Sequence, residues 1–157
     1  MARLLVVHHT PSPTMATMLD KVLEGAAVDD LVDDDGGRIE VVAVPALSAT
    51  ASDVLAADGY LLGTPANLGY MSGAVKHFFD QIYYPCLDAT VGRPFGLYVH
   101  GNNDVDGAVL AVERIVTGLR WRQVSDHVRS TGELAAVDRD ACWELGATLA
   151  ATTLGVA

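Results

Sequence analysis

Hydroxyl side chains cluster where the first apolar run gives way to a helical pattern. Thr10, Ser12, Thr14 and Thr17 lie just ahead of that helix or within its first turn. The free backbone N–H groups and the positive dipole end of a helix N-terminus attract phosphate, and hydroxyl groups add donors without adding charge. Helix capping by Ser12 or Thr14 is an equally good explanation. Neither a G-x-G-x-x-G fingerprint nor a Walker loop fits this segment.

Two further segments follow apolar runs and carry turn-forming residues. Residues 63–73, GTPANLGYMSG, interleave Gly, Pro and Asn with apolar and aromatic side chains. Such a segment can offer backbone amides to the polar edge of a flat ring, while Leu68 or Tyr70 covers the face of that ring. An ordinary connection whose glycines permit turns is the alternative. Residues 100–104, HGNND, are short and polar, and Gly and Asn favour a turn there without any ligand.

Other chemistry-bearing residues do not assemble into a recognisable site. His8 and His9 are adjacent, so in a strand they face opposite sides and do not share a metal ion. Ser72 lies one place too late for G-x-S-x-G, and we expect it to cap a helix. Cys86 and Cys142 form no CxxC motif. We therefore expect no metal site and no catalytic acid, base or nucleophile.

The composition indicates a globular domain that does not bind nucleic acid. The 157 residues include 20 acidic and 10 basic side chains, which gives a net charge of −10, whereas phosphate backbones require a basic surface. We expect one domain over residues 1–157. The two distant cysteines indicate a reducing cytoplasm. The opening apolar run is too short for a signal peptide or a membrane span, so no membrane attachment is expected.

Apolar runs alternate with helical patterns along the whole chain. The predicted strands are 4–7, 39–44, 59–63, 95–99 and 121–128, with Pro45 ending the second. The predicted helices are 15–27, 52–57, 72–84, 105–119 and a last helix capped by Asp138, with Ser52 or Asp53 near the start of the second and Pro85 ending the third. The expected core faces are Val75, Phe78, Phe79 and Ile82 on the third helix and Cys142, Leu145 and Leu149 on the last. This alternation predicts an α/β fold with a parallel sheet covered on both faces.

Three stretches of the chain resemble one family. Residues 63–80, GTPANLGYMSGAVKHFFD, look like the signature of the flavodoxin-like NAD(P)H-dependent FMN reductases and quinone reductases. Residues 4–26 are similar to the phosphate loop and first helix of that family, and residues 121–124 with the closing helix resemble its end. The resemblance implies a flavodoxin-like three-layer sandwich. Its five-stranded parallel sheet has the order 2-1-3-4-5, with flavin mononucleotide (FMN) at the switch point.

The resemblance also implies a set of cofactor-binding residues. Around the phosphate it places Thr10, Ser12, Thr14 and Met15. Along the isoalloxazine and ribityl parts it places Thr64, Pro65, Ala66, Asn67, Leu68, Gly69 and Tyr70, and His100, Gly101, Asn102 and Asn103 close the third side. Pro11 and Pro13 remove backbone donors where many relatives have glycine, so hydroxyl groups must do more of the phosphate binding here.

The implied function is an FMN-dependent oxidoreductase that passes electrons from NAD(P)H to a quinone, a flavin or a similar acceptor. The alternatives are a flavodoxin-type electron carrier, which serves a redox partner protein, and a domain that kept the fold and lost the cofactor. A one-electron carrier needs a backbone carbonyl that turns toward the reduced ring. Gly69 tolerates positive φ, so the sequence does not forbid such a peptide flip. A homodimer is also compatible with the resemblance.

Overall fold

A computed structural model describes all 157 residues, which form five helices and seven strands. The strands are β1 (Arg3–His8), β2 (Glu40–Pro45), β3 (Gly59–Asn67), β4 (Tyr70–Met71), β5 (Pro94–Gly101), β6 (Arg122–Gln123) and β7 (Val128–Thr131). The helices are α1 (Pro13–Ala26), α2 (Ala51–Ala56), α3 (Gly73–Cys86), α4 (Asp106–Leu119) and α5 (Ala136–Leu154). No helix combines the length and apolarity needed to cross a membrane.

The main sheet is parallel and has the predicted order. Strands β2, β1, β3 and β5 lie side by side, and β6 and β7 both pair with β5 at the far edge. With β5 counted as the fourth strand and β6 with β7 as the fifth, the predicted order 2-1-3-4-5 is confirmed. Residues 4–7 of β1 are fully buried, because helices cover both faces of this central strand. That burial explains the unbroken aliphatic run.

The core consists of two apolar layers, one on each face of the sheet. Helices α2, α3 and α4 pack on one face, and α1 and α5 pack on the other. The predicted core faces of the third and last helices are confirmed, since all seven side chains are buried: Val75, Phe78, Phe79, Ile82, Cys142, Leu145 and Leu149. The two cysteines lie on opposite faces of the sheet and remain free thiols.

The third strand is longer than its sequence pattern indicated. We expected it to end at Gly63, yet β3 continues to Asn67 and turns back as β4. Ala66 pairs with Met71 and Asn67 pairs with Tyr70, so an antiparallel hairpin replaces most of the expected loop. Proline in a strand argued against this continuation, but Pro65 is accommodated opposite His100 of β5.

The fifth strand is interrupted. A continuous strand over 121–128 was expected, whereas the structure has β6 and β7 separated by residues 124–127. Within this interruption the Val124 N–H still donates to the Phe95 carbonyl at 3.2 Å, and the Gln123 side-chain amide donates to the Ser125 carbonyl at 2.9 Å. Trp121 lies ahead of β6, where its indole N–H donates to Thr90 Oγ1 at 2.8 Å.

Four helix ends differ in detail from the sequence patterns. Helix α1 starts at Pro13, two residues early, because proline suits the first helical position. Helix α2 is capped by Thr50 in a capping box with Asp53, so neither Ser52 nor Asp53 is its N-cap.

Pro85 lies inside the last turn of α3, where a missing N–H removes only one bond. The N-cap of α5 is Ala135, and Asp138, expected to cap this helix, is its third residue and accepts the Ala135 N–H from inside the first turn.

Candidate functional site

Three strand ends meet at one edge of the sheet, and they carry the three predicted segments. The His9 N–H donates to the Gly63 carbonyl at 3.0 Å, which ties the end of β1 to β3. Pro65 of β3 lies opposite His100 of β5. The structure therefore brings together the residues that follow β1, β3 and β5, as expected where the strand order reverses.

We call the first segment, residues 9–14, the phosphate loop, after the role that the resemblance implies for it. Ser12 caps α1, since its Oγ accepts the Met15 N–H at 3.2 Å. The backbone N–H groups of Thr10, Ser12 and Thr14 donate to no group in the protein. Thr10 Oγ1 contacts His8 Nδ1 at 2.7 Å. The two sequence interpretations of this loop are therefore compatible, because a capping hydroxyl still leaves backbone donors for an anion.

The electrostatics of the phosphate loop suit an anion that is bound by neutral donors. Helices α2, α4 and α5 each have an aspartate in the first turn, whereas α1 and α3 have no acidic residue there. No carboxylate of its own first turn therefore offsets the positive dipole end of α1. Burial, followed by the charge of His9, lowers the pKa of His8 below its ordinary value of 6.5, so His8 is neutral at pH 7. Nδ1 of His9 is buried without a hydrogen-bond partner and is a further polar atom beside the loop.

The second segment is the β3–β4 hairpin, whose turn consists of Leu68 and Gly69. Both residues have positive φ, +52° and +74°, which identifies a type I′ turn. Left-handed backbone is uncommon for leucine and costs on the order of 1–3 kcal/mol. The Leu68 side chain is also fully exposed at the tip. The Leu68 side chain therefore buries no apolar surface in the protein that would offset this backbone strain.

The hairpin is held at its base and at its tip. The buried hydroxyl of Thr64 accepts the Ser72 N–H at 3.0 Å and donates to the Pro65 carbonyl at 2.9 Å. Its hydrogen-bonding capacity is used within the protein, so Thr64 positions the hairpin. At the tip, a Cβ added to Gly107 of α4 would lie 2.0 Å from the Gly69 carbonyl oxygen. Only glycine at 107 permits this close approach.

The third segment follows β5 and is fixed by the residue after β7. His100 Nε2 lies 2.7 Å from the Gly132 carbonyl, to which it donates, and the Gly132 N–H donates to the Gly101 carbonyl at 2.9 Å. A Cβ on Gly101 would come within 3.1 Å of Ala66 Cβ, so this segment lies directly against the hairpin. Asn102 and Asn103 extend beyond it into solvent.

A cavity of about 340 Å³ separates the hairpin from the third segment. Its lining residues are Ala66, Leu68, Gly69, Asn102, Asn103 and Asp104. The backbone N–H groups of Leu68, Gly69, Asn102 and Asn103 donate to no group in the protein. The volume lies within the usual range for ligand pockets, and donors on both walls suit the polar edge of a flat ring. A larger cavity of about 430 Å³ lies beside α5, away from this edge.

The predicted site residues do not all reach this surface. The side chain of Met15 is buried in the core, and Pro65 is buried and has no N–H, so their side chains face away from a ligand. Sequence reasoning missed Gly107, Gly132 and the connection after β2. That connection lines a smaller cavity of about 230 Å³ with the phosphate loop; Leu47 is its exposed member. No motif or spacing in the sequence marks this connection, because the exposure of Leu47 is visible only in the structure.

Comparison with known proteins places this geometry in a known fold. A curated protein of Aquifex aeolicus (strain VF5), named flavodoxin, is 34% identical over 82 residues, which cover 52% of this chain and 40% of that protein. The match thus spans about two fifths of the relative's length. No family model matches the chain.

Solved structures match over nearly the whole chain. A flavodoxin, WrbA-like protein from Agrobacterium tumefaciens superposes with a TM-score of 0.75 at 19% identity, covering 98% of both chains. A flavodoxin from the domain Archaea gives 0.79 at 12% identity, over 96% of this chain and 98% of that one. The flavodiiron protein from Giardia intestinalis gives 0.78 at 15% identity, over 98% of this chain and 36% of that one. The chain has the flavodoxin-like fold, which confirms the prediction.

Proposed function

We propose that residues 1–157 form one FMN-dependent oxidoreductase domain that takes electrons from NAD(P)H and passes them to a small-molecule acceptor. The observation that carries the proposal is the pair of donor sets at one edge of the sheet. Uncharged donors without partners lie at the start of α1, and a second set surrounds the cavity beside the hairpin. A phosphate and a flat polar ring joined by a short linker, as in FMN, match these two sets.

In this proposal, different residues would hold the phosphate and the ring of FMN. Thr10, Ser12 and Thr14 would hold the phosphate through N–H and hydroxyl groups, aided by the α1 dipole. The hairpin tip and the backbone of residues 102–103 would hold the ring edge. FMN supplies the redox chemistry, and the protein binds and orients it. The comparisons support this assignment, since flavodoxins share the fold over nearly the full chain.

The turn sequence favours an enzyme over an electron carrier. Flipping the peptide between Leu68 and Gly69 would convert the type I′ turn into type II′, which takes glycine at its first central position. That position is Leu68, and the required backbone conformation is open essentially only to glycine. Gly69 can adopt the backbone conformation that the flip requires at its position, as the sequence indicated, but Leu68 cannot adopt the one required at the first central position. The carbonyl that a one-electron carrier would redirect is therefore held in place.

An electron carrier is the second candidate, and two observations favour it. The relative with local sequence similarity is named flavodoxin. The exposed Leu68 and the half-exposed Tyr70 also leave the hairpin accessible to a protein partner.

Anaerobic mixing of the FMN-loaded protein with NADH or NADPH separates the two functions. We expect at least one nucleotide to bleach the flavin absorbance completely, with little flavin radical detected by electron paramagnetic resonance. Protein reduced with dithionite gives the reference spectrum. If neither nucleotide bleaches the flavin, and stepwise photoreduction yields abundant radical, the protein is an electron carrier and the reductase proposal is wrong.

A further inference from the structure

A second cavity, of about 300 Å³, lies on the opposite side of the hairpin tip, between the hairpin and α4. Gly107, Leu110, Ala111 and Arg114 contribute one face of α4, since their spacing places them on neighbouring turns. Tyr70 forms the facing wall. Leu110 is 50% exposed and Tyr70 is 42% exposed, so apolar and aromatic surface remains uncovered here. We call this cavity the α4 cleft.

Arg114, at one end of the α4 cleft, is an unpaired cation in an acidic protein. Most cationic side chains form ion pairs, such as Arg129 with Asp106 and Lys76 with Asp80, and Arg93 donates to backbone carbonyls. Only Arg114, Arg122 and Arg139 bond to no other group. A free guanidinium and an aromatic ring that line the same cavity are suited to a ligand with a planar ring and a phosphate.

The α4 cleft and the proposed flavin site lie on the two sides of the hairpin tip. Gly69 lines both the α4 cleft and the cavity that faces residues 102–104. A ligand that lies across the tip would therefore reach both cavities. The dinucleotide NAD(P)H has this extended form, with a nicotinamide ring at one end and an adenine nucleotide at the other.

We propose that the α4 cleft binds the adenine nucleotide half of NAD(P)H, an inference that rests on the proposed reductase function. The adenine packs against Tyr70 and Leu110, and the guanidinium of Arg114 binds a phosphate. The nicotinamide end is thereby directed across Gly69 toward the ring site. Charge complementarity favours this occupant, because the phosphates of the nucleotide are anionic and Arg114 is the one cation in the lining of this cleft.

The test is calorimetric binding of ADP-ribose, the nucleotide without its nicotinamide ring, to the FMN-loaded protein and to the variant Arg114→Met. We expect the substitution to weaken ADP-ribose binding about tenfold, as for loss of a hydrogen bond to a charged group. The KM for NAD(P)H should rise by a similar factor while FMN affinity stays unchanged. Arg122→Met is the matched control, since Arg122 is also exposed and unpaired but lies on the edge strand β6.

Each outcome bears separately on the cleft and on the proposed function. If Arg114→Met binds ADP-ribose as tightly as the wild-type protein, or if the wild-type protein does not bind it, the inference is overturned even where NAD(P)H reduces the flavin. If ADP-ribose binding depends on Arg114 while neither nucleotide bleaches the flavin, the cleft is a nucleotide site and the proposed reductase function fails.

Discussion

Replacing Gly107 with alanine should weaken FMN binding at least tenfold, although alanine is the better helix former. The new Cβ would lie 2.0 Å from the Gly69 carbonyl oxygen, so the hairpin tip must move away from α4. Hydrogen bonds weaken steeply with misalignment, and the N–H groups of the tip that we propose to bind the ring would shift with it. A loss of about 1.4 kcal/mol in binding free energy corresponds to the tenfold change.

The matched control for Gly107 is Gly73→Ala at the start of α3. A Cβ at Gly73 has nothing within 4 Å, so this variant should bind FMN like the wild-type protein. Flavin fluorescence titration measures both affinities, and thermal unfolding shows whether either variant loses its fold. Equal FMN affinity in Gly107→Ala and Gly73→Ala would mean that the hairpin tip does not contact the flavin.

Replacing Leu68 with glycine should make the FMN-loaded protein accumulate flavin radical. With glycine at the first central position, the turn can adopt type II′ and the peptide between residues 68 and 69 can flip. The conformational barrier that leucine imposes, on the order of 1–3 kcal/mol, is removed. We therefore expect the radical signal at half reduction to rise several-fold over that of the wild-type protein.

Leu68→Asn separates the backbone effect from the loss of the apolar side chain. Asparagine tolerates left-handed backbone, so it keeps the type I′ turn, yet it does not open the conformation that the flip requires. Its radical yield should stay at the wild-type level. If Leu68→Asn and Leu68→Gly give the same yield, the side chain and not the peptide flip controls the radical, and the turn argument for an enzyme fails.

The layers of the fold could be predicted because each depends on local patterning. Buried parallel strands give continuous aliphatic runs, as in residues 4–7, and helix core faces repeat every three to four residues, as in Val75, Phe78, Phe79 and Ile82. The β3–β4 hairpin could not be predicted. Strand β4 has two residues, Pro65 argued against a strand, and Leu68-Gly69 lacks the Asn-Gly or Asp-Gly signal of a type I′ turn.

The candidate site likewise combines features that belong to one stretch of chain with contacts between residues far apart in the sequence. The cluster of hydroxyl groups and free N–H groups ahead of α1 could be predicted, because these groups belong to one stretch of chain. The contact of Gly107 with the hairpin and that of Gly132 with His100 join residues more than thirty positions apart. Such pairings depend on how α4 and β7 pack, and no spacing in the sequence encodes them.

The affinity ratio of FMN to riboflavin tests the proposed cofactor site most directly, because the two ligands differ only in the phosphate. We predict that the protein binds FMN at least a hundredfold more tightly than riboflavin, since several bonds to a charged phosphate, at about 1.5–3 kcal/mol each, favour FMN. Ser12→Ala should lower that ratio about tenfold. Ser72→Ala removes an equivalent helix cap, to the Val75 N–H, and should lower stability by ~1 kcal/mol while leaving the ratio unchanged. Equal affinity for FMN and riboflavin, or a ratio that Ser12→Ala does not change, would contradict the assignment of residues 9–14 as the phosphate loop.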